Sequence, residues 1–121
     1  MSTSQRRTFV DSNVLLYLIS SDSRKAGIAE RVLKQGPTIS VQVLNEIANV
    51  CIKKFKMETV EVAELLNTVK RLCVIEPLTQ LHSELALSIH KRWEFSYYDS
   101  LIIAAAMIAD CNLLLTEDLQ H

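Results

Sequence analysis

Short runs of aliphatic residues alternate along the chain with longer segments in which apolar residues recur every three or four positions. The short runs predict four buried strands, at residues 8–10, 38–40, 74–75 and 112–115. The longer segments predict helices, because residues at i, i+3 and i+4 share one helix face. These helices are predicted over residues 13–19, 22–34, 41–55, 58–72, 79–93 and 98–109, with Phe55 and Leu81 among the side chains facing the core. Apolar strands that alternate with helices predict an α/β fold, with a parallel sheet covered on both faces.

The length and composition limit the class of protein. A chain of 121 residues is long enough for one domain, and only 2 Gly and 2 Pro argue against a turn-rich all-β chain. Residues 1–7 are polar and only Phe9 and Val10 form an apolar segment before an acid, so we expect no signal peptide. The longest uncharged apolar run, residues 101–109, is far shorter than the ~20 residues of a membrane span, so we expect none. Three widely spaced cysteines lack zinc-site spacing. We therefore expect a cytoplasmic protein. Its net charge of -1 gives no sign of a nucleic-acid partner.

Four acidic residues lie where a parallel sheet gathers its ligands. In such folds the carboxyl ends of the strands share one edge, and binding sites form beyond it. Asp11 follows the first predicted strand and Asp118 follows the fourth. Glu46 lies one turn into the helix after the second strand, and Asp99 begins the helix that leads to the fourth. We expect these four carboxylates to converge at one edge.

Each acid also has a purely structural interpretation. Asp11 is a good N-cap for the helix that follows it, and Ser12 is an alternative cap. Asp99 is the only charged residue between Glu94 and Asp110, and an acid in apolar surroundings needs a partner such as a cation. The helix around Glu46 carries a polar stripe that is rich in amides, which suits a lined cleft better than open solvent: Gln42, Asn45, Glu46, Asn49 and Lys53.

Clustered carboxylates without a catalytic His, Cys or Ser indicate metal chemistry. Carboxylate oxygens are hard ligands that suit Mg²⁺ or Mn²⁺. Acids held close together repel and raise one another's pKa, and a divalent cation removes that repulsion. A metal between carboxylates and a phosphodiester can activate water and neutralise the phosphoryl oxygens. The pattern therefore predicts metal-assisted hydrolysis of a phosphodiester.

Four segments resemble a known family. They are residues 9–17 (FVDSNVLLY), 44–46 (LNE), 98–106 (YDSLIIAAA) and 115–120 (LTEDLQ). In order and spacing they are similar to the successive motifs of PIN-domain nucleases, and among these to the VapC-type toxins of bacterial toxin–antitoxin pairs. The resemblance runs through essentially the whole chain. It implies a single three-layer α/β/α domain over residues 1–121, with a short central parallel sheet of four to five strands flanked by helices.

The same resemblance implies a Mg²⁺- or Mn²⁺-dependent endoribonuclease that is homodimeric and inhibited by a cognate antitoxin. It makes Asp11, Glu46 and Asp99 an acidic triad that binds metal, with Asp118 as a fourth acid. Asn13 and Thr116 match positions whose polar side chains support the acids. Family members continue with a Gly and a further strand where this chain ends, so we expect that strand to be missing. We expect residues 1–6 to be disordered.

Candidate RNA contacts and two other functions complete the expectations. Lys91 and Arg92 precede Tyr98 by a few residues, and cations and aromatic rings near a metal can hold phosphate and stack a base. One alternative function is a non-catalytic PIN-like binding module whose acids only cap helices. Another is a haloacid dehalogenase-like phosphatase. That group has a second Asp at the position of Asn13 and a Gly-Asp pair late in the chain, and this sequence has neither.

Overall fold

The predicted parallel sheet is present in the computed structural model, which describes residues 7–117. The expectations for residues 1–6, for Asp118 and for the chain end concern residues outside that range. All the strand pairings are parallel, and the order across the sheet is β3-β2-β1-β4. The strands are β1 (Thr8–Val10), β2 (Thr38–Ser40), β3 (Val74–Glu76) and β4 (Leu113–Leu115). The predicted α/β class is confirmed.

Within residues 7–117, six α-helices connect and flank these strands in a three-layer α/β/α arrangement. They are α1 (Ser12–Leu15), α2 (Ser23–Lys34), α3 (Val41–Lys53), α4 (Thr59–Leu72), α5 (Gln80–Trp93) and α6 (Tyr97–Ile108). The first three strands step outwards in one direction across the sheet, and the chain then crosses to the opposite edge for β4. Because such crossovers are right-handed, α1–α4 cover one face and the α5–α6 pair covers the other. Among residues 7–117 there is no helix long and apolar enough to cross a membrane.

The core lies between the sheet and the helices, where the aliphatic strands meet the apolar helix faces. Phe9 and Ile39 from neighbouring strands are fully buried, as are Val43 and Ile47 of α3. A smaller cluster joins α5 to α6 through Ala86, Ile89, Leu101 and Ala104. Burying these side chains stabilises the fold, at about 1.5–3 kcal/mol for a large aliphatic residue. The sheet edge that carries the acids is therefore supported from both faces.

Several local predictions were wrong. The helix expected over 13–19 is α for one turn only and continues as a 3-10 helix over Leu16–Ile19. Helix α3 ends at Lys53, which leaves Phe55 43% exposed instead of packed in the core. Leu81 is 58% exposed, and its neighbour His82 is buried in its place. The reason is local, because Nδ1 of His82 accepts a hydrogen bond from the backbone N–H of Thr79 at 3.2 Å and so caps α5.

Candidate active site

Asp11 stands at the carboxyl end of β1 and begins α1 as its N-cap. The side chain is only 6% exposed, and both carboxylate oxygens have partners. The backbone N–H of Ser12 donates to Oδ1 at 2.7 Å, and the Thr116 hydroxyl donates to Oδ2 at 2.9 Å. Thr116 reaches Asp11 because it follows β4, which pairs with β1 up to Val10 and Leu115. Asp11 therefore caps a helix and also faces the site.

Glu46 approaches Asp11 from the first turns of α3. The Ser12 hydroxyl donates to Oε1 of Glu46 at 3.0 Å and lies 3.5 Å from Oδ1 of Asp11, so it stands between the two carboxylates. The Gln42 side-chain amide donates to Oε2 of Glu46 at 3.2 Å, from one helical turn earlier. The i, i+4 spacing of Gln42 and Glu46 makes this contact possible. The amide-rich stripe of α3 thus faces a cleft, as the sequence indicated.

Asp99 completes the acidic group from the first turn of α6. Its backbone N–H donates to the Ser96 hydroxyl at 3.1 Å. This bond caps the helix and fixes the position of the Asp99 backbone. Asp99 lines a cleft of about 300 Å³ together with Asp11 and Glu46. The structure therefore brings together three of the four predicted acids, from three separate elements.

The local environment disfavours ionisation of two of these acids. The pKa of Asp11 is raised, mainly by burial, with a further contribution from the negative charge of Asp99; hydrogen bonds from Ser12 and Thr116 oppose the shift. Burial is also the main reason why the pKa of Glu46 is raised, and the charges of Asp11 and Asp99 add to it. An added cation would lower both pKa values by opposing this repulsion.

The donor set suits a hard divalent cation. Asp11, Glu46 and Asp99 offer carboxylate oxygens, which are the ligands that Mg²⁺ and Mn²⁺ prefer. Within residues 7–117, no three His, Cys, Asp or Glu side chains already stand in position to hold an ion. The Ser12 hydroxyl lies between two of the acids in this arrangement. The three residues thus fit a metal by their chemistry and charge, and their carboxylates would have to move closer together to hold one.

Comparison with known proteins decides the family. The PIN-domain family model matches residues 8–121. The chain belongs to the PIN-domain family. The resemblance carried by the four sequence motifs is thereby confirmed at the level of this family, and PIN membership stands against the haloacid dehalogenase-like interpretation. No curated protein matches the chain significantly.

Solved structures share the fold of this PIN domain. It is similar to VapC20 of Mycobacterium tuberculosis, described as a sarcin–ricin loop cleaving toxin, with a TM-score of 0.72 and 18% identity; the alignment covers 92% of this chain and 89% of VapC20. It is also similar to a chain of a toxin–antitoxin complex from Klebsiella pneumoniae, with a TM-score of 0.67 and 22% identity, covering 89% and 84% of the two chains. At these identities the likeness concerns the fold.

The two predicted supporting residues of the PIN domain have different contacts. Thr116 donates directly to Asp11, as described above. The side-chain oxygen of Asn13 instead accepts from the backbone N–H of Glu117 at 3.2 Å. Asn13 therefore ties the segment after β4 to α1 and does not touch an acid through this bond. Ser12 and Gln42 donate hydrogen bonds to the acids, a role that the sequence did not predict for either residue.

The predicted RNA-contact residues lie at different distances from the acids. Tyr98 lines the acidic cleft and is 67% exposed, with its ring edge-on to that of Tyr97 at 5.8 Å between centroids. Lys91 and Arg92, at the end of α5, are not among the described residues that line the cleft. The Arg92 guanidinium lies over the Trp93 ring at 4.9 Å. Of the three residues, only Tyr98 belongs to the walls of the PIN-domain cleft.

Proposed function

We propose that this PIN domain is a metal-dependent endoribonuclease, the toxin of a toxin–antitoxin pair, which hydrolyses RNA phosphodiester bonds with water. The observation that carries the proposal is the convergence of Asp11, Glu46 and Asp99 in one cleft at the carboxyl edge of the sheet. Such a cluster is unfavourable for stability unless a cation neutralises it. Its chemistry matches metal-assisted hydrolysis better than helix capping alone.

Asp11, Glu46 and Asp99 would hold Mg²⁺ or Mn²⁺, with Asp118 as a fourth acid. Activation of water and neutralisation of charge on the phosphoryl oxygens are the chemistry that a cation held there would supply. The chain's own residues prepare this site. Thr116 and the Ser12 N–H fix the two oxygens of Asp11, and Gln42 fixes one oxygen of Glu46. Hydrogen bonds of this kind orient carboxylate ligands and tune their basicity.

RNA is the substrate class that we propose, and a cognate antitoxin is the partner. The fold is shared with a toxin described as cleaving the sarcin–ricin loop and with a chain of a toxin–antitoxin complex, which supports both assignments. Tyr98 presents an exposed ring at the cleft on which a base can stack. Lys91 and Arg92 would contact phosphates further along the RNA. We propose that the protein acts in the cytoplasm as a homodimer.

The test is cleavage of single-stranded RNA by the purified protein. We expect cleavage with Mg²⁺ or Mn²⁺ and none in EDTA. Asp99→Asn keeps the size of the side chain but removes its charge, and should lower the cleavage rate by about 10³-fold, equivalent to about 4 kcal/mol of transition-state stabilisation. The matched control is Asp110→Asn. Asp110 is exposed, and its φ of 59° is one that Asn tolerates.

Each outcome separates the proposal from the binding-module alternative. Full activity in EDTA would contradict the metal mechanism. Undiminished cleavage by the Asp99→Asn protein would remove Asp99 from the site. RNA that is bound but not cleaved by the wild-type protein with either metal would favour the non-catalytic module. In every case Asp110→Asn should behave as the wild-type protein does.

A further inference from the structure

A second groove adjoins the acidic cleft along α3. It has a volume of about 420 Å³ and shares Glu46, Asn49 and Tyr98 with the cleft. Its remaining walls are the amides of Gln42 and Asn45 and the side chains of Leu78 and Leu101. A strand of RNA whose phosphodiester lies at the acids has this groove as an immediate neighbour.

The described polar side chains of the groove are three amides, the Glu46 carboxylate and the Tyr98 hydroxyl, with no cation among them. Asn45 and Asn49 are exposed, lie one turn apart on α3, and make no side-chain hydrogen bond within the described part of the chain. A carboxamide offers a donor and an acceptor side by side, which matches the edge of a nucleobase. None of the described residues that line the groove is Lys or Arg, so its walls do not suit a phosphate.

Apolar and aromatic surface lies beside these amides. Leu78 is 39% exposed and Tyr98 is 67% exposed, which leaves flat apolar area open to a ligand. Single-stranded RNA is recognised in this way, with a base stacked on an aromatic ring and its edge hydrogen-bonded. A planar, uncharged, hydrogen-bonding ring is therefore the ligand that fits the groove.

We propose that this groove binds the nucleobase adjacent to the scissile phosphodiester and determines which base the enzyme prefers there. The inference rests on the proposed nuclease function and assigns the base selectivity to Asn45 and Asn49. Gln42 connects the groove to the acids. Its side-chain amide donates to Glu46 at 3.2 Å and lies 3.4 Å from the carbonyl oxygen of Tyr98. A base seated in the groove is thus held against the same residue that positions Glu46.

The test is the base preference around the cleavage site, read by sequencing the new 5′ ends of a random-sequence RNA. The Asn45→Ala/Asn49→Ala double variant should lower the ratio of cleavage between the best and worst base by about tenfold, since bidentate amide contacts discriminate bases on this scale. Tyr98→Leu should lower cleavage at all bases alike, because stacking tolerates any base. The control is Asn67→Ala, which removes an exposed amide in the middle of α4 and should leave the profile unchanged.

The outcomes distinguish this inference from the function on which it rests. A double variant with the wild-type base profile would overturn the assignment of base selectivity to the groove. A wild-type enzyme that cleaves without regard to base would overturn it as well. If the wild-type protein cleaves no RNA, the nuclease proposal fails by itself. Binding of A, C, G and U homo-oligonucleotides to the Asp99→Asn protein, measured by fluorescence anisotropy, then decides whether the groove selects a base. A base preference in binding that disappears with the two Asn→Ala changes supports it, and its persistence overturns it.

A second copy of the chain is the competing occupant. Asn45→Glu would place a charge in the groove and is expected to alter the base profile without changing the molecular mass in solution. If Asn45→Glu instead converts a dimer to a monomer and leaves the base profile unchanged, the groove is a contact between copies and the inference is overturned.

Discussion

The amino ends and the carboxyl ends of the strands in the four-stranded sheet, called here the amino edge and the carboxyl edge, carry different polar groups. At the amino edge, the backbone N–H of Arg7 donates to the Asn112 side chain at 3.1 Å, and the Arg7 guanidinium donates to the carbonyl oxygen of Ala109 at 2.8 Å. The acceptors there are neutral, a side-chain amide oxygen and a backbone carbonyl oxygen. At the carboxyl edge, three acids share a cleft, and burial and mutual repulsion raise the pKa of two of them.

The contrast indicates which edge serves the fold and which serves another purpose. Capping α1 requires one acceptor, and Asn or Ser would cap it as well as Asp11 without adding charge. Asp99 places a further negative charge near both Asp11 and Glu46, and it contributes to the raised pKa of each. The carboxyl edge therefore carries an electrostatic penalty, which a bound cation would remove. The predictions below test that difference.

The largest effect should come from adding the cation. Mn²⁺ or Mg²⁺ should raise the free energy of unfolding of the wild-type protein by about 2.7 kcal/mol when the free ion is at 100 times its Kd. Asp11→Asn should show a much smaller gain, because it removes one of the three clustered charges. Urea unfolding in EDTA and in Mn²⁺ measures both. The control, Asp110→Asn, changes an exposed acid away from the cleft and should gain as much as the wild-type protein.

A gain in stability that is equal in the wild-type and Asp11→Asn proteins would show that the ion binds elsewhere. The acidic cleft would then be a cluster without a metal, and the contrast between the two edges would need another explanation.

The sequence predicted the strands and the convergence of the acids because both follow from simple rules. Aliphatic runs form buried parallel strands, and the carboxyl ends of parallel strands share one edge. Asp11, Glu46 and Asp99 therefore line one cleft, as expected, while Asp118 lies outside the described residues. The amide stripe on α3 was also visible, because helical spacing places Gln42 and Glu46 on one face.

What the sequence did not predict depends on side-chain contacts between elements. That the Ser12 hydroxyl stands between two acids follows from the approach of α3 to α1, which no local pattern encodes. The burial of His82 instead of Leu81 depends on a cap at the start of α5. Lys91 and Arg92 are near Asp99 in sequence, but α5 ends before the turn into α6 and leaves them outside the walls of the cleft.

A smaller effect should appear in the pH dependence of stability without metal. The raised pKa of Asp11 means that the folded protein holds its proton more tightly than the unfolded chain. This group's contribution therefore becomes unfavourable as pH rises from about 4 through the raised pKa. Asp11→Asn cannot titrate, so in EDTA it should be more stable than the wild-type protein at pH 7, with the difference vanishing below about pH 4. Urea unfolding across this pH range measures it, and a difference independent of pH would contradict it.

The smallest effect should come from one hydrogen bond at the amino edge that joins two uncharged groups. Asn112→Ala removes one exposed hydrogen bond, from the Arg7 N–H, and should lower the free energy of unfolding by about 0.5 kcal/mol. The Asn112 N–H still donates to the Arg7 carbonyl oxygen at 3.0 Å, so the strand ends stay joined. The gain on adding Mn²⁺ and the rate of RNA cleavage should both match those of the wild-type protein, because β4 separates this bond from Thr116 and Asp11. If cleavage instead falls much more than the loss of stability explains, a shift of β4 moves Thr116 and, through its hydrogen bond, Asp11. The two edges would then be coupled.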